Sequence, residues 1–232
     1  MLIGGFQRLT LIDYPGKIAT TVFTVGCNFR CPFCHNPELV LGAFSPSANI
    51  SEEEFLRFLD NRKEKLEGVC ITGGEPTIQY DLIDFALKIK EKGFLVKLDT
   101  NGTRPDILKK MIDLKLVDYI AMDIKNSPRK YTKTSRVKNI DIERIKLSAE
   151  LVRNSRLDYE FRTTVVPGMH SLEDFKTIGR WLEGSRRYFL QRFRSTGVLD
   201  RKFAEKSTAK KLDLEAIREM MNEYFQEVKI RE

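Results

Sequence analysis

Cys27, Cys31 and Cys34 stand within Gly26 Cys27 Asn28 Phe29 Arg30 Cys31 Pro32 Phe33 Cys34 His35 Asn36, three thiols in eight residues directly after the apolar run Ile18–Val25. Thiolate is a soft ligand that selects zinc, copper(I) or iron–sulfur centres over calcium or magnesium. A structural zinc site or an electron-transfer cluster closes with four protein ligands, and this loop supplies three. The other cysteine, Cys70 in Gly68 Val69 Cys70 Ile71 Thr72, reads as a buried strand residue. Three thiols and an open metal position invite a substrate onto the metal. The competing reading is a Cys3His zinc site completed by His35, although a ligand directly beside Cys34 strains the tetrahedron. A disulfide is disfavoured, because no leader precedes these cysteines and a cytosolic chain keeps its thiols reduced.

Further polar residues sit at the ends of apolar runs. Thr72 Gly73 Gly74 Glu75 Pro76 follows the cysteines by about forty residues. Its glycines let backbone approach a ligand, and Glu75 is an acceptor for a cation. Leu98 Asp99 Thr100 Asn101 Gly102 and Met122 Asp123 Ile124 Lys125 each tip a strand with a carboxylate, which is costly unless paired or solvated. Asp123 and Lys125 could also form a plain surface ion pair. Phe161 Arg162 Thr163 Thr164 carries a guanidinium suited to a carboxylate, or simply an Arg on the helix-facing side. Met169 and His170 follow at a rim, where a lone His is expected to be solvated.

The pattern Cys-x3-Cys-x2-Cys, with Phe33 just before the last Cys, resembles the signature of radical S-adenosylmethionine (SAM) enzymes. In that family three Cys hold three irons of a [4Fe-4S] cluster, and the amine and carboxylate of SAM chelate the fourth. Reductive cleavage of SAM then yields a 5'-deoxyadenosyl radical. The resemblance implies that Phe33 lies near the adenine and that Gly73, Gly74, Glu75 and Pro76 form the motif that holds the methionyl ammonium. Asp99, Thr100, Asn101, Asp123 and Lys125 look like the glycyl-radical-enzyme activase residues that line the ribose and carboxylate side of SAM, where a monovalent cation could also bind. By similarity, Arg162 reaches the SAM carboxylate.

Phe6 to Lys17, with Cys34 His35 Asn36 Pro37 Glu38 Leu39, looks like the start of anaerobic ribonucleoside-triphosphate reductase activating proteins. The resemblance runs from Gly5 to about Phe193 and implies a glycyl radical enzyme as partner, most like the anaerobic ribonucleotide reductase. It also implies a low-potential electron donor such as ferredoxin or flavodoxin. No cysteine lies between Asn36 and Val69 or after Cys70, so neither an inserted ferredoxin-like module nor an auxiliary cluster is expected. Pyruvate formate-lyase activases place a His where this chain has Gln191 Arg192 Phe193 Arg194, which weakens that alternative. A radical SAM RNA-modifying enzyme is a second alternative, without an RNA-binding module to support it. A zinc-stabilised binding protein is a third.

Positioning these residues requires a scaffold, and the periodicity supplies one. Apolar runs at Ile18–Val25, Val69–Thr72, Phe94–Thr100, Val117–Asp123, Tyr159–Val166 and Tyr188–Phe193 read as strands. Amphipathic helices are expected at Ser51–Lys65, opened by a Ser51/Glu54 capping box, and at Thr77–Lys92, Arg104–Lys115, Asp141–Arg153 and Ser171–Glu183. A last helix should run from Leu212 or Leu214 to Phe225. Regular β–α alternation means a mainly parallel α/β sheet, and six units make an open, partial (β/α)6 barrel, the fold the resemblance also implies. Loops after the carboxyl ends of strands then build the site.

With 232 residues, 41% of them hydrophobic, and no linker, one domain spanning 1–232 is expected. No run approaches the roughly 20 apolar residues that span a bilayer, which points to the cytoplasm, with neither membrane nor nucleic acid as partner. The net charge is +7, with basic tracts at Lys125–Lys138 and Arg186–Lys211 expected to rim the site and dock an acidic surface. Leu199–Lys211 reads as a loop that folds on a partner.

Overall fold

Alternation along the strands sets the architecture. Val69 and Ile71, Val96 and Leu98, Ile120 and Met122, and Tyr159 and Phe161 are apolar at every second position, with small or polar residues between them. Side chains alternate across a strand, so each strand has one apolar and one polar face. The computed structural model describes residues 1–42, 50–209 and 211–232. Its strands are β1 Ile3–Thr10, β2 Ala19–Thr24, β3 Gly68–Gly73, β4 Leu95–Thr100, β5 Tyr119–Asp123, β6 Asp158–Val165, β7 Arg187–Arg192 and β8 Glu227–Arg231. They form one sheet in chain order. β1 pairs antiparallel with β2, and every later pair is parallel. No pairing joins β1 to β8 among the described residues, so the sheet stays open.

The apolar faces are covered by helices: α1 Pro37–Leu41, α2 Glu52–Asp60, α3 Leu82–Glu91, α4 Pro105–Asp113, α5 Tyr131–Ser135, α6 Ile142–Asn154, α7 Leu172–Leu182, α8 Arg201–Thr208 and α9 Leu214–Met221. Phe55 and Leu59 of α2, Phe85 and Ile89 of α3, Met111 of α4, Ile145 and Val152 of α6 and Phe175 of α7 join the outward strand residues in one core. The opposite, inner face is polar. Thr21, Cys70, Lys97 and Tyr119 stand in register across β2 to β5, Asp99, Ala121 and Glu160 one step above, and Asp123 beside Arg162 nearest the carboxyl ends.

The six expected strands are β2 to β7. β1 and β8 went unseen because they are edge strands without an apolar run: β1 contains two glycines and exposes Gln7 and Arg8, and β8 is charged at three of five positions. The helix expected from Thr77 starts at Leu82, because Pro76–Ile78 forms a one-turn 3-10 helix with the Glu75 side chain accepting from Thr77 N. At Ser51 only the serine half of the capping box forms, and the reciprocal box occurs at Ser171 and Asp174. The loop expected over Leu199–Lys211 is instead largely α8, because Asp200 caps it at Phe203 N (2.9 Å) and Ala204 and Ser207 are buried; Lys210 lies outside the described residues. Of the second basic tract, Arg186 and Arg187 bond Leu157 O (2.5 Å) and Asp158 (3.1 Å) at the start of β7, away from the mouth.

β8 is held from inside the sheet. Arg231 donates twice to the fully buried Glu160, at 2.5 and 2.8 Å, and its guanidinium lies 3.5 Å from the Phe189 ring centroid. Tyr119 also donates to Glu160, at 2.7 Å. Burial disfavours the Glu160 anion, and the bonds from Arg231 outweigh it, so the carboxyl titrates below its ordinary range. A carboxyl depressed in the folded state contributes stability above its unfolded pKa and loses it as pH falls. Arg231→Met should therefore lower unfolding free energy at neutral pH by about 3 kcal/mol, in line with removing one partner of a buried pair. Urea midpoints should show the gap from wild type narrowing as pH falls and Glu160 protonates.

Candidate active site

The segments that leave the carboxyl ends of β2 to β6 enclose a cavity of about 180 Å³. Every residue expected at the site lines it except Pro76, which is buried at the start of the 3-10 turn. Cys27, Cys31 and Cys34 form one wall.

Main-chain contacts place the cysteine loop. Gly26 N–H donates to Leu39 O (2.8 Å) and Arg30 N–H to Ser135 O (2.8 Å). On the far side, the N–H groups of Leu199 and Asp200 donate to Cys34 O (2.9 Å) and Pro32 O (3.0 Å). The loop is thus held between α5 and the lead-in to α8. The end of β3 lies against its base, with Gly74 N–H donating to Thr24 O and Glu75 N–H to Gly26 O, both at 2.9 Å. This approach leaves no room for a side chain: a Cβ on Gly74 would lie 1.9 Å from Gly26 O. Gly73 has φ +116°, a region that favours glycine.

Burial pushes the Cys27 thiol up to about 12 and the Cys31 thiol up to about 11, so both stay protonated at neutral pH until a metal takes the place of the proton. Among the described residues, no three Cys, His, Asp or Glu side chains converge closely enough to hold a single metal ion. His35 is exposed, and its Nε2 lies 2.9 Å from Arg194 O. Thiols that line one wall without converging on a single point fit a multi-metal cluster better than one tetrahedral zinc.

Glu75 is fully buried and tied to its neighbours. It accepts from Thr77 N (3.1 Å), Thr77 Oγ1 (2.5 Å), Thr100 Oγ1 (2.7 Å) and Asn101 N (2.6 Å). All four donors are neutral, and burial outweighs them, so its carboxyl titrates above the ordinary range. It joins the ends of β3 and β4 while presenting unbalanced negative character to the cavity, a fit for a cationic ligand group.

The remaining wall is a row of charges. Arg162 donates from Nε to Asp123 (2.5 Å) and from Nη2 to Asp99 (3.0 Å), and Lys125 donates to Asp123 (2.8 Å). Burial opposes the charged forms of both aspartates, but the cations beside them, Arg162 foremost, hold both carboxyls below their ordinary range. Arg162 therefore faces inward, and Asp123 with Lys125 is a cavity pair rather than a surface one. Lys125 is held at both main-chain groups: its N–H donates to Tyr131 OH (3.0 Å), and its carbonyl accepts from His170 Nε2 (2.9 Å).

His170 is buried, not solvated as its loop position suggested, because its ring bridges two backbone segments. Nδ1 accepts from Val166 N–H (3.0 Å), which leaves Nε2 as the donor. Burial lowers its pKa and keeps it neutral. Tyr131 and Lys97 were missed in the sequence, where His170 was expected to meet water. Only Lys97 carried a signal there, a lysine inside an apolar run two residues from Asp99 and hence on the same face.

The sequence pattern of the radical SAM superfamily matches residues 21–182. The chain belongs to the radical SAM superfamily. It is a radical SAM enzyme, and membership implies an iron–sulfur cluster and SAM. It is 34% identical over 235 residues, 99% of this chain and 95% of the other, to a Methanocaldococcus jannaschii protein provisionally named a glycyl-radical enzyme activating enzyme. A pyruvate formate-lyase-activating enzyme of Clostridium pasteurianum is 34% identical over 127 residues, covering 53% of this chain and 52% of that one. Among solved structures, Streptococcus suis SuiB bound to S-adenosylmethionine superposes with a TM-score of 0.68 at 15% identity, over 90% of this chain and 49% of that one. This radical SAM chain thus spans about half of SuiB. QueE from Escherichia coli matches with a TM-score of 0.54 at 15% identity, over 99% of this chain and 93% of its own. These structures establish the shared fold. Among the described residues no helix is long and apolar enough to cross a membrane.

The contact between Gly74 and Gly26 should govern how the cysteine loop sits. Gly74→Ala is expected to destabilise the fold by about 3 kcal/mol, an overpacking cost, because backbone cannot move aside cheaply. Gly5→Ala, with nothing within 4 Å of its added Cβ, should leave the thermal midpoint unchanged.

Proposed function

We propose that this chain is a glycyl-radical-enzyme activating enzyme, formed by one radical SAM domain over residues 1–232, whose target is the anaerobic ribonucleoside-triphosphate reductase. The observation that carries the reading is the cavity itself, with three thiols on one wall and paired carboxylates, Arg162 and Lys125 on the other. Full-length likeness to a relative named as such an activase supports the class. In this reading Cys27, Cys31 and Cys34 hold a [4Fe-4S] cluster and leave one iron to SAM. Together the two groups supply reductive cleavage of a sulfonium and a carbon-centred acceptor for a hydrogen atom.

The chain's own residues bind and orient. Glu75, with Gly73, Gly74 and Pro76 shaping its turn, draws the methionyl ammonium; Arg162 and Lys125 take the carboxylate; Asp99, Thr100 and Asn101 face the ribose, and Phe33 the adenine. Asp99 and Asp123, which pair with Lys97, Arg162 and Lys125, are also the carboxylates that a monovalent cation would use. No general acid or base is needed for hydrogen-atom abstraction from a glycine of the partner. A ferredoxin or flavodoxin of low potential would supply the electron.

Anaerobic reconstitution with iron and sulfide tests this directly. Wild-type protein should bind about four irons and, on reduction, release 5'-deoxyadenosine from SAM. Cys27→Ala, Cys31→Ala and Cys34→Ala should each lose that activity, whereas Cys70→Ala, outside the cavity, should keep it. A colourless zinc protein would sink the reading. Electron paramagnetic resonance of candidate partners then identifies the target, with a glycyl radical on the anaerobic reductase expected. The pyruvate formate-lyase-activating relatives favour pyruvate formate-lyase as the second candidate.

Charge at the mouth supports docking of an acidic partner surface. Lys125, Lys130 and Arg136 pair with Asp123, Asp174 and Asp200 at 2.8, 2.5 and 2.6 Å. Arg129, Lys133 and Lys138 are exposed and have no carboxylate partner among the described residues. Reversing these three to Glu should slow partner activation about tenfold at low salt, with the gap closing as salt rises, while SAM cleavage without partner stays unchanged. Equal activation rates at low salt would remove the docking surface.

A further inference from the structure

Lys97 is the only lysine or arginine wholly buried among the described residues. Burying an ammonium is costly without a counter-charge. Its Nζ is in close contact with Asp99 Oδ1, lies 3.6 Å from Cys70 Sγ and sits 5.9 Å from the Tyr119 ring centroid. It does not reach the cavity, whose lining begins one residue pair higher on the same face, at Asp99. Glu160, another buried carboxylate of the inner face, is taken by Arg231 and Tyr119. Asp99 is therefore the acidic partner of Lys97, and through its other oxygen it meets Arg162.

Lys97, Asp99, Arg162, Asp123 and Lys125 thus form an unbroken row in which cation and anion alternate and both ends are cations. Three positive charges face two negative ones. Without Lys97, Arg162 and Lys125 would be balanced by the two aspartates, and an anionic ligand group would find no surplus charge. Glu75, the other carboxyl at the cavity, takes its hydrogen bonds from Thr77, Thr100 and Asn101 and does not draw on this row.

We propose that Lys97 is a positioning residue for the carboxylate of the bound cosubstrate: by occupying Asp99 Oδ1 from behind, it leaves Arg162 and Lys125 one positive charge beyond what the aspartates cancel, and that surplus selects a ligand bearing a carboxylate. This rests on the reading of the cavity as a SAM site. Lys97 touches no ligand in this scheme and acts only through Asp99 and Arg162.

The test is calorimetric binding to the anaerobically reconstituted protein with two probes. S-adenosylhomocysteine carries the adenosine, amine and carboxylate, and its decarboxylated form lacks only the carboxylate. Lys97→Met should bind S-adenosylhomocysteine about tenfold more weakly than wild type, the scale of one charge-assisted contact. Its affinity for the decarboxylated probe should stay within about twofold. Lys97→Gln should behave like Lys97→Met, and Lys97→Arg, which keeps the charge, should restore the preference. Asp99 retains Arg162 in all three variants, so folded protein is expected. Equal losses for both probes, no loss for either, an Arg variant as impaired as the Met variant, or failure of both neutral variants to fold would overturn the proposal. Wild-type protein that binds neither probe would instead overturn the reading of the cavity.

Discussion

Charge buried on the inner face of the sheet has to be paired, and that requirement organises the molecule. Lys97, Asp99, Asp123, Glu160 and Arg162 lie on β4, β5 and β6 with their side chains on one side, inside a sheet whose other side is packed with helices. Each is affordable there only because the same strand or another strand of the sheet delivers the opposite charge at hydrogen-bonding distance. The register between β5 and β6, which sets Asp123 beside Arg162, is therefore an electrostatic necessity as much as a matter of backbone pairing. The same requirement explains why β8 belongs to the sheet: Arg231 reaches back over Phe189 to neutralise Glu160. Towards the opposite end of the strands the inner face closes with Tyr14, Ala19, Leu95 and Tyr119, so the charged layer is sealed below and open above, where the cavity lies.

A second constraint is steric. The cysteine loop and the end of β3 share main-chain hydrogen bonds at Thr24 and Gly26, and that closeness is possible only with Gly73 and Gly74 between them. Thiols and charged wall are thereby brought to one cavity although they are separate in sequence. The loop is also gripped from outside by Ser135 and by Leu199 and Asp200, so segments after β5 and β7 help to aim the cysteines. The exposed cations Arg129, Lys133 and Lys138 follow β5 and thus sit beside the cysteine loop, which places the charged rim next to the chemistry it would serve.

Much of this was legible in the residues. Period-two alternation in Val96 Lys97 Leu98 Asp99 and its counterparts marked β2 to β7, and the parallel order put their carboxyl ends, with Cys27, Glu75, Asp99, Asp123 and Arg162, on one side. β1 and β8 were not legible, because an edge strand needs no continuous apolar run and theirs is broken by glycine or charge. α8 was hidden by its basic composition, since its helix depends on the Asp200 cap and on two small buried residues rather than on an apolar stripe.

The sequence by itself determined the family and the scaffold: three thiols in eight residues with Gly73 Gly74 Glu75 Pro76 about forty residues on, and a strand–helix alternation that makes a mainly parallel sheet. Tertiary structure decided the partners. That Arg162 faces inward to two aspartates and that His170 holds the Lys125 carbonyl instead of meeting water both depend on which strands become neighbours and in what register. Those are long-range relations set by packing and charge pairing across the sheet, and local patterns carry no record of them.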